Sequence, residues 1–97
     1  MTRRRRYLIA YDIAADRRRE KVFGELKGQG DRAQYGVFFC ELTQRELVRV
    51  RASLRILIHE HEDQVMILDL GRAHWPLETS LEVLGRTYEP EIRTQII

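Results

Sequence analysis

The apolar residues follow two kinds of pattern along the chain, and together these predict four strands and two helices. Short runs that are apolar on both alternating sides predict buried strands over residues 7–13, 37–42 and 64–70. A shorter strand is predicted at 31–34, and Gly36 forms a tight turn or bulge before the next one.

Both helices are predicted from apolar residues that recur at helical spacing, with local signals at their ends. Asp16 is the expected N-cap of the first helix, and Gly28-Gln29-Gly30 ends it. The segment Thr43-Gln44-Arg45-Glu46 has the spacing of a capping box and begins the second helix. An apolar stripe then continues to Ile58, which predicts an amphipathic helix that ends near His59.

Residues 72–97 have a less regular pattern. Turns are predicted at 74–76 and 88–91, a short strand at 81–85, and a final strand at 93–97. The chain is expected to be one domain over 1–97, with a basic N-terminal stretch at 1–5. We expect this stretch to be either a flexible arm or the start of the first strand.

The predicted order, strand-helix-strand-strand-helix-strand, is that of an α+β, ferredoxin-like βαββαβ fold with extra C-terminal strands. Its two helices would cover one face of the sheet. Since three strands are apolar on both sides, the other face also needs cover. A chain of this size buries only about 60–70% of its unfolded surface, so a partner subunit would help. We therefore expect a homodimer packed sheet to sheet, locked by the extension at 72–97.

Composition predicts a globular cytoplasmic protein. Hydrophobic residues are 43% and charged residues 33% of the chain, and no apolar run approaches the length of a membrane span. The N-terminal arginines are not followed by a signal-peptide core. Cys40 is the single cysteine, which agrees with a reducing compartment.

Charge is distributed unevenly. Residues 1–40 contain ten basic and five acidic residues, and residues 41–97 contain seven and ten. Fifteen of the seventeen basic residues are arginine, whose planar fork suits phosphate. Arg17, Arg18 and Arg19 oppose the helix dipole in the first turn, which favours an anion-binding role. The alternative is a solvated surface on which these arginines pair with Asp16 or Glu20.

Two acidic features have both a chemical and a structural interpretation. Asp12 ends the first apolar strand, where it either displays a carboxylate for chemistry or caps the following loop or helix. The segment His59-Glu60-His61-Glu62-Asp63 resembles a metal cluster, but neighbouring side chains in a loop rarely converge, so we predict a polar turn. The sequence contains no P-loop and no dinucleotide-binding glycine pattern.

An ordered set of segments over about residues 6–71 resembles a known family. The segments are Tyr11-Asp12-Ile13, Arg18-Arg19-Glu20-Lys21-Val22, Arg32-Ala33-Gln34-Tyr35-Gly36-Val37-Phe38 and Glu41-Leu42. Together they resemble CRISPR-associated protein 2, the small dimeric partner of the CRISPR integrase. The chain departs from the family at Gly36, where serine is usual, and at Lys21, where some members have arginine.

The resemblance implies a homodimer in which Asp12 of the two protomers shares a divalent metal, Mg²⁺. Family members are described as metal-dependent nucleases on RNA or DNA, and as bridges between dimers of the integrase, CRISPR-associated protein 1. The expected nucleic-acid partner is duplex DNA, single-stranded RNA or both. Residues linked to activity in the family match Tyr11, Asp12, Arg19, Arg32 and Phe38.

Simple chemistry supports a shared site. One aspartate is a poor Mg²⁺ site, but two related by a two-fold axis can hold the ion together with water and phosphate oxygens. Without metal, two close carboxylates repel each other. The residues expected on nucleic acid are Arg17, Arg18, Arg19, Lys21 and Arg32. Three functions remain open: a metal-dependent phosphodiesterase, a non-catalytic DNA-binding bridge, or a toxin-type ribonuclease or regulatory module of the same fold.

Overall fold

The computed structural model describes residues 3–88. It is a four-stranded antiparallel sheet in the order β2-β3-β1-β4, with two helices on one face. The elements are β1 (Arg5–Asp12), α1 (Asp16–Lys27), β2 (Gly30–Gln34), β3 (Val37–Leu42), α2 (Gln44–Leu57) and β4 (Gln64–Arg72). The predicted ferredoxin-like α+β fold is confirmed.

The core lies between the helices and the side of the sheet that they cover, here called the helix face. In β1 it is formed by alternate residues, among them Tyr7 and Ile9, because successive side chains of a strand point to opposite sides. The other strands and both helices contribute Phe38, Cys40, Leu42, Val22, Leu26, Leu47, Val50 and Leu54. This layer positions the end of β1 beside the start of α1.

The two helix starts differ in how they are capped. The predicted capping box is confirmed: the Glu46 amide donates to Thr43 Oγ1 at 3.1 Å, and the Thr43 amide donates to Glu46 Oε1 at 2.8 Å. The prediction of Asp16 as N-cap is wrong, because the N-cap is Ala15 and makes no side-chain cap. The Asp16 carboxylate instead accepts a hydrogen bond from Arg19 at 2.5 Å.

The turn between β2 and β3 requires glycine at position 36. Gly36 has a φ of +77°, and a Cβ there would lie 2.8 Å from the carbonyl oxygen of Tyr11. The Gly36 carbonyl also accepts a hydrogen bond from the Tyr11 amide at 2.8 Å. The turn is therefore packed directly on the end of β1, which gives a physical reason for the departure from serine at this position.

Several boundaries differ from the predictions. β1 begins at Arg5, so the basic stretch enters the sheet, and β4 continues through Gly71 to Arg72. The strand predicted at 81–85 is wrong, because residues 81–84 have no regular structure and follow a 3-10 helix at Leu77–Thr79. The predicted strand at 93–97 lies outside the described residues, as does most of the predicted turn at 88–91.

The opposite side of the sheet, here called the open face, is only partly covered. The C-terminal segment at 81–88 lies over its β2–β3 side, where Tyr88 meets Phe39 edge-on with ring centroids 6.4 Å apart. On the β4 side, Met66 and Leu68 are each 56% exposed and Leu70 is 44% exposed. Since such a contiguous apolar strip is unfavourable in water, this half of the face is available for a partner.

Candidate functional site

A shallow cleft of about 400 Å³ lies where the end of β1, the first turns of α1 and the β2–β3 turn meet. We call it the aromatic–arginine cleft. Three of the predicted site residues, Tyr11, Arg19 and Arg32, line it. The other lining residues are Asp16, Glu20, Phe23 and Tyr35.

Aromatic rings hold Arg32 in the cleft. Buried Phe38 stacks on Tyr11 with centroids 6.4 Å apart and packs against Phe23 at 5.7 Å. The Arg32 guanidinium carbon then lies 5.2 Å from the ring centre of Phe23 and 5.6 Å from that of Tyr35. Two cation–π contacts limit the motion of the guanidinium, and they do not neutralise its positive charge. Phe38 therefore supports the site from the core.

Arg19 is fixed at the other side of the cleft by two hydrogen bonds. It donates to Asp16 at 2.5 Å and to the carbonyl of Ile13 at 2.9 Å. The hydrogen bond to Asp16 also raises the pKa of Arg19, so this cation is permanent. Because the Asp16 side chain is 92% exposed, the pair is screened and weak, and Arg19 remains able to bind an anion.

Tyr11 is a neutral phenol at the edge of the cleft. Burial raises its pKa above the ordinary value, and the positive charge of Arg32 opposes this shift. The hydroxyl therefore keeps its proton at neutral pH and is a hydrogen-bond donor. The cleft thus combines one neutral donor and two cations with the carboxylates of Asp16 and Glu20. The donor and the cations are the groups that suit a phosphate oxygen.

Asp12 is adjacent to Tyr11 along the chain but points to the other side of the sheet. Alternation along β1 puts Asp12 with Leu8 and Ala10 on the open face, and it is exposed at the strand end, opposite Gln64. No side chain among residues 3–88 pairs with its carboxylate. The structure therefore separates the predicted metal ligand from the predicted phosphate-binding residues within one protomer.

The remaining predicted basic residues have different surroundings. Arg18 is held by Asp63 at 2.7 Å and by Glu62 at 3.1 Å, so it joins the start of α1 to the loop before β4. Arg17 and Lys21 are exposed, and neither forms an ion pair within the part of the chain that the structure describes. Of the basic residues on α1 named as candidates, these two present the least restrained charges.

Asp63 organises the polar turn at 59–63 and has no solvent-exposed side-chain surface. Besides Arg18, its carboxylate accepts hydrogen bonds from the amide of Ala14 at 2.9 Å and from that of His59 at 2.7 Å. The predicted polar turn is confirmed, and it links two loops that are 49 residues apart in sequence. The hydrogen bond from Arg18 is the main cause that holds the pKa of Asp63 well below its usual range.

Replacing Asp63 with Asn is expected to lower the melting temperature by several degrees at pH 7, and much less in acid. A carboxyl whose pKa is lowered by folding stabilises the protein above its unfolded pKa of about 3.9 and loses that effect as pH falls further. Because most of the effect is lost only well below that pKa, thermal unfolding from pH 7 down to about pH 1.5 measures the difference. The control is Glu62→Gln, which removes the more exposed partner of Arg18; an equal loss of stability in both variants contradicts this role of Asp63.

Sequence reasoning did not single out two features of the protein surface. Tyr35 borders the cleft with 71% of its surface exposed, although its position in a turn gave no sign of a role. Away from the cleft, α2 also carries exposed arginines without an ion pair among residues 3–88, namely Arg45, Arg49, Arg51 and Arg55. Their helical spacing is visible in the sequence, but the same spacing is typical of any solvated helix surface.

Within the described residues, no three His, Cys, Asp or Glu side chains come together to hold a metal ion. Asp12 nevertheless offers two exposed, hard oxygen donors of the kind that Mg²⁺ prefers. One such carboxylate supplies only half of the protein ligands that a shared Mg²⁺ site would use. The donor set is therefore adequate for Mg²⁺ only if a second protomer contributes another carboxylate.

Fold and site define a small ferredoxin-like protein with a shallow cleft that contains two arginines and with a separate unpaired carboxylate. The family model described as "CRISPR associated protein Cas2" matches residues 5–76. The chain therefore belongs to the Cas2 family, as its resemblance predicted. No helix within residues 3–88 is long and apolar enough to cross a membrane.

Individual relatives agree with this assignment. The chain is 32% identical to a CRISPR-associated endoribonuclease Cas2 of Geobacter sulfurreducens, over 94% of this chain and 95% of the relative. It is 38% identical to a CRISPR-associated endonuclease Cas2 of Thermus thermophilus, over 93% and 92%. The crystal structure of the hypothetical protein TT1823 from Thermus thermophilus aligns with a TM-score of 0.75 and 38% identity, covering 91% of this chain and 99% of that one.

Proposed function

We propose that this protein is a metal-dependent nuclease of a CRISPR system, which cleaves phosphodiester bonds as a homodimer and takes part in spacer acquisition with the integrase, CRISPR-associated protein 1. The observation that carries the proposal is the unpaired Asp12 carboxylate at the end of β1, next to a residue that lines a cleft with two fixed arginines. The names of its relatives, endoribonuclease and endonuclease, support the same chemistry.

Homodimerisation is supported by the open face. Its uncovered strip on β4 is apolar, and Asp12 is on the same face at the end of the neighbouring strand. Two copies that bury this strip across a two-fold axis present the same residues to each other. In that arrangement Asp12 and the partner's Asp12 approach each other, which completes the pair of carboxylates that one protomer lacks.

The roles of the chain's own residues follow from their contacts. Arg19 and Arg32 bind a backbone phosphate and so position the strand. The neutral Tyr11 hydroxyl donates a hydrogen bond to the same group. When bound by the two Asp12 carboxylates, Mg²⁺ supplies a more acidic water and neutralises phosphate charge. Phe23 and Phe38 keep Arg32 in position, so they act through it.

A non-catalytic bridge is the second candidate, and one observation favours it. Asp12 faces the opposite side of the sheet from the aromatic–arginine cleft, so one protomer does not bring metal ligand and phosphate-binding residues together. A protein that only holds duplex DNA by its backbone needs no such convergence. Incubating purified protein with single-stranded RNA and with duplex DNA, each with and without Mg²⁺, separates the two: a bridge yields no cleavage above background.

Nucleic-acid binding is expected to depend steeply on salt, because arginine and lysine side chains that neutralise phosphates release counterions. Replacing Arg17 and Lys21 together by Ala should reduce the slope of log affinity against log salt by about 2, since each phosphate that is no longer neutralised lowers it by about 0.9. Fluorescence anisotropy with duplex DNA at several salt concentrations measures this slope. Arg18 is left intact because it joins two loops.

The matched control for this experiment is Arg45→Ala with Arg49→Ala, which removes two unpaired charges from the outer side of α2. It should leave the salt slope nearly unchanged. An unchanged slope in the Arg17 and Lys21 variant would mean that this part of α1 is a solvated surface. Equal reductions in both variants would mean that binding follows net charge and not this surface.

A further inference from the structure

Tyr35 has an environment that phosphate binding alone does not require. It lies in the β2–β3 turn and is 71% exposed, although tyrosine is a residue type of intermediate burial. Its ring is not loose, because the Arg32 guanidinium carbon lies 5.6 Å from the ring centre. One side of the ring is therefore backed by a cation, and the high exposure leaves the other side open to solvent.

The ring is the outermost member of a chain of contacts that begins in the core. Phe38 has no exposed surface, Phe23 packs on it at 5.7 Å, and Arg32 lies 5.2 Å above Phe23. Each member limits the motion of the next, so the orientation of the Tyr35 ring is restricted. Binding a flat ligand to such a surface costs less conformational entropy than binding it to a free side chain.

We propose that Tyr35 is a stacking site for an unpaired nucleobase, and that the aromatic–arginine cleft therefore takes single-stranded nucleic acid. Its volume of about 400 Å³ lies within the range of small-ligand pockets, and Arg19 and Arg32 line it beside Tyr35. A nucleotide with its phosphate on these arginines would have its base within reach of the open side of the ring. The inference rests on the proposed function, since it names the form of nucleic acid that the same cleft recognises.

Stacking on Tyr35 predicts a preference for single strands with bases, which charge alone does not predict. Every base has an aromatic face, so stacking tolerates any sequence, but a base held in a duplex is already stacked on its neighbours. The phosphates that Arg19 and Arg32 bind are present in both single-stranded and duplex nucleic acid. Tyr35 should therefore contribute to affinity for a single strand with bases, and contribute little for a duplex or for a strand without bases.

The test compares a short oligothymidine with an abasic strand of the same length, by anisotropy, in EDTA so that no strand is cut. The native protein should bind oligothymidine about 5- to 100-fold more tightly than the abasic strand. Tyr35→Leu should abolish most of that difference and leave affinity for the abasic strand and for duplex DNA nearly unchanged, because Phe23 still contacts the Arg32 guanidinium. Tyr35→Phe keeps the ring and should keep the difference.

Three results would overturn the proposal. The first is that the native protein does not bind oligothymidine. The second is that Tyr35→Leu binds all three ligands as tightly as the native protein does. The third is an equal reduction of affinity for all three ligands in Tyr35→Leu, which would mean that Tyr35 only positions Arg32. Because binding is measured without metal, these results are independent of whether Asp12 supports cleavage.

Discussion

Replacing Asp12 with Asn is expected to reduce Mg²⁺-stimulated cleavage by at least about 100-fold, since a metal that stabilises transition-state charge contributes several kcal/mol. Asn has the same shape but lacks the negative charge that holds the ion. Asp12 is exposed and has no partner among residues 3–88, so the change should leave the melting temperature nearly unaltered. The rate is measured by gel with labelled single-stranded RNA and duplex DNA over a range of Mg²⁺ concentrations.

The control is Glu60→Gln, which removes one negative charge from an exposed position in the turn before β4. It should cleave at the native rate. Asp12→Asn should also retain the native affinity for nucleic acid, because the arginines bind the phosphates. If Asp12 only ends the strand, Asn serves equally well and cleavage survives, which would refute the catalytic assignment.

Replacing Leu68 with Glu is expected to convert the proposed homodimer into monomer at micromolar concentration. Leu68 lies opposite Leu8 in the sheet, on the uncovered strip of the open face, and is 56% exposed in the single protomer. In a sheet-to-sheet dimer the new carboxylate is removed from water and gains no partner, which should raise the dissociation constant by about 100-fold or more. Light scattering after size exclusion measures the mass.

Ile56→Glu is the matched control, because it makes the same kind of change at a residue that is 83% exposed on the outer side of α2. It should remain a dimer. The Leu68→Glu monomer should remain folded, yet it should no longer show metal-stimulated cleavage because it lacks the second carboxylate. A native protein that is monomeric at micromolar concentration, or a Leu68→Glu dimer, would contradict packing through the open face.

The parts of the fold that were predicted correctly depend on neighbours in sequence. Alternation along β1 and β3 identified two-sided apolar strands, and the Thr43-to-Glu46 spacing identified a cap that forms within one helical turn. Asp16 was assigned wrongly because its carboxylate has a second local partner, Arg19, with which it pairs instead. The capping propensity of Asp16 alone does not show whether its carboxylate caps the helix or pairs with Arg19.

The parts that escaped prediction depend on packing between distant segments. Nothing near Arg18 indicates that Asp63, 45 residues later, engages it in the fold. The role of Tyr35 at the cleft likewise depends on the packing of Phe23 from α1 against Phe38 from β3. Local patterns predicted which residues carry charge or aromatic rings, whereas the sheet order determined which of them meet.

The most direct test of the central claim, that one site is shared by two protomers, is cleavage by mixed dimers. Native protein and Asp12→Asn are unfolded together, refolded in equal amounts and assayed with Mg²⁺. If both carboxylates are required, the mixture should cleave at about one quarter of the native rate, because random pairing across a two-fold axis gives about a quarter of dimers two intact aspartates. About one half of the native rate would mean that each protomer works alone, and would contradict the account.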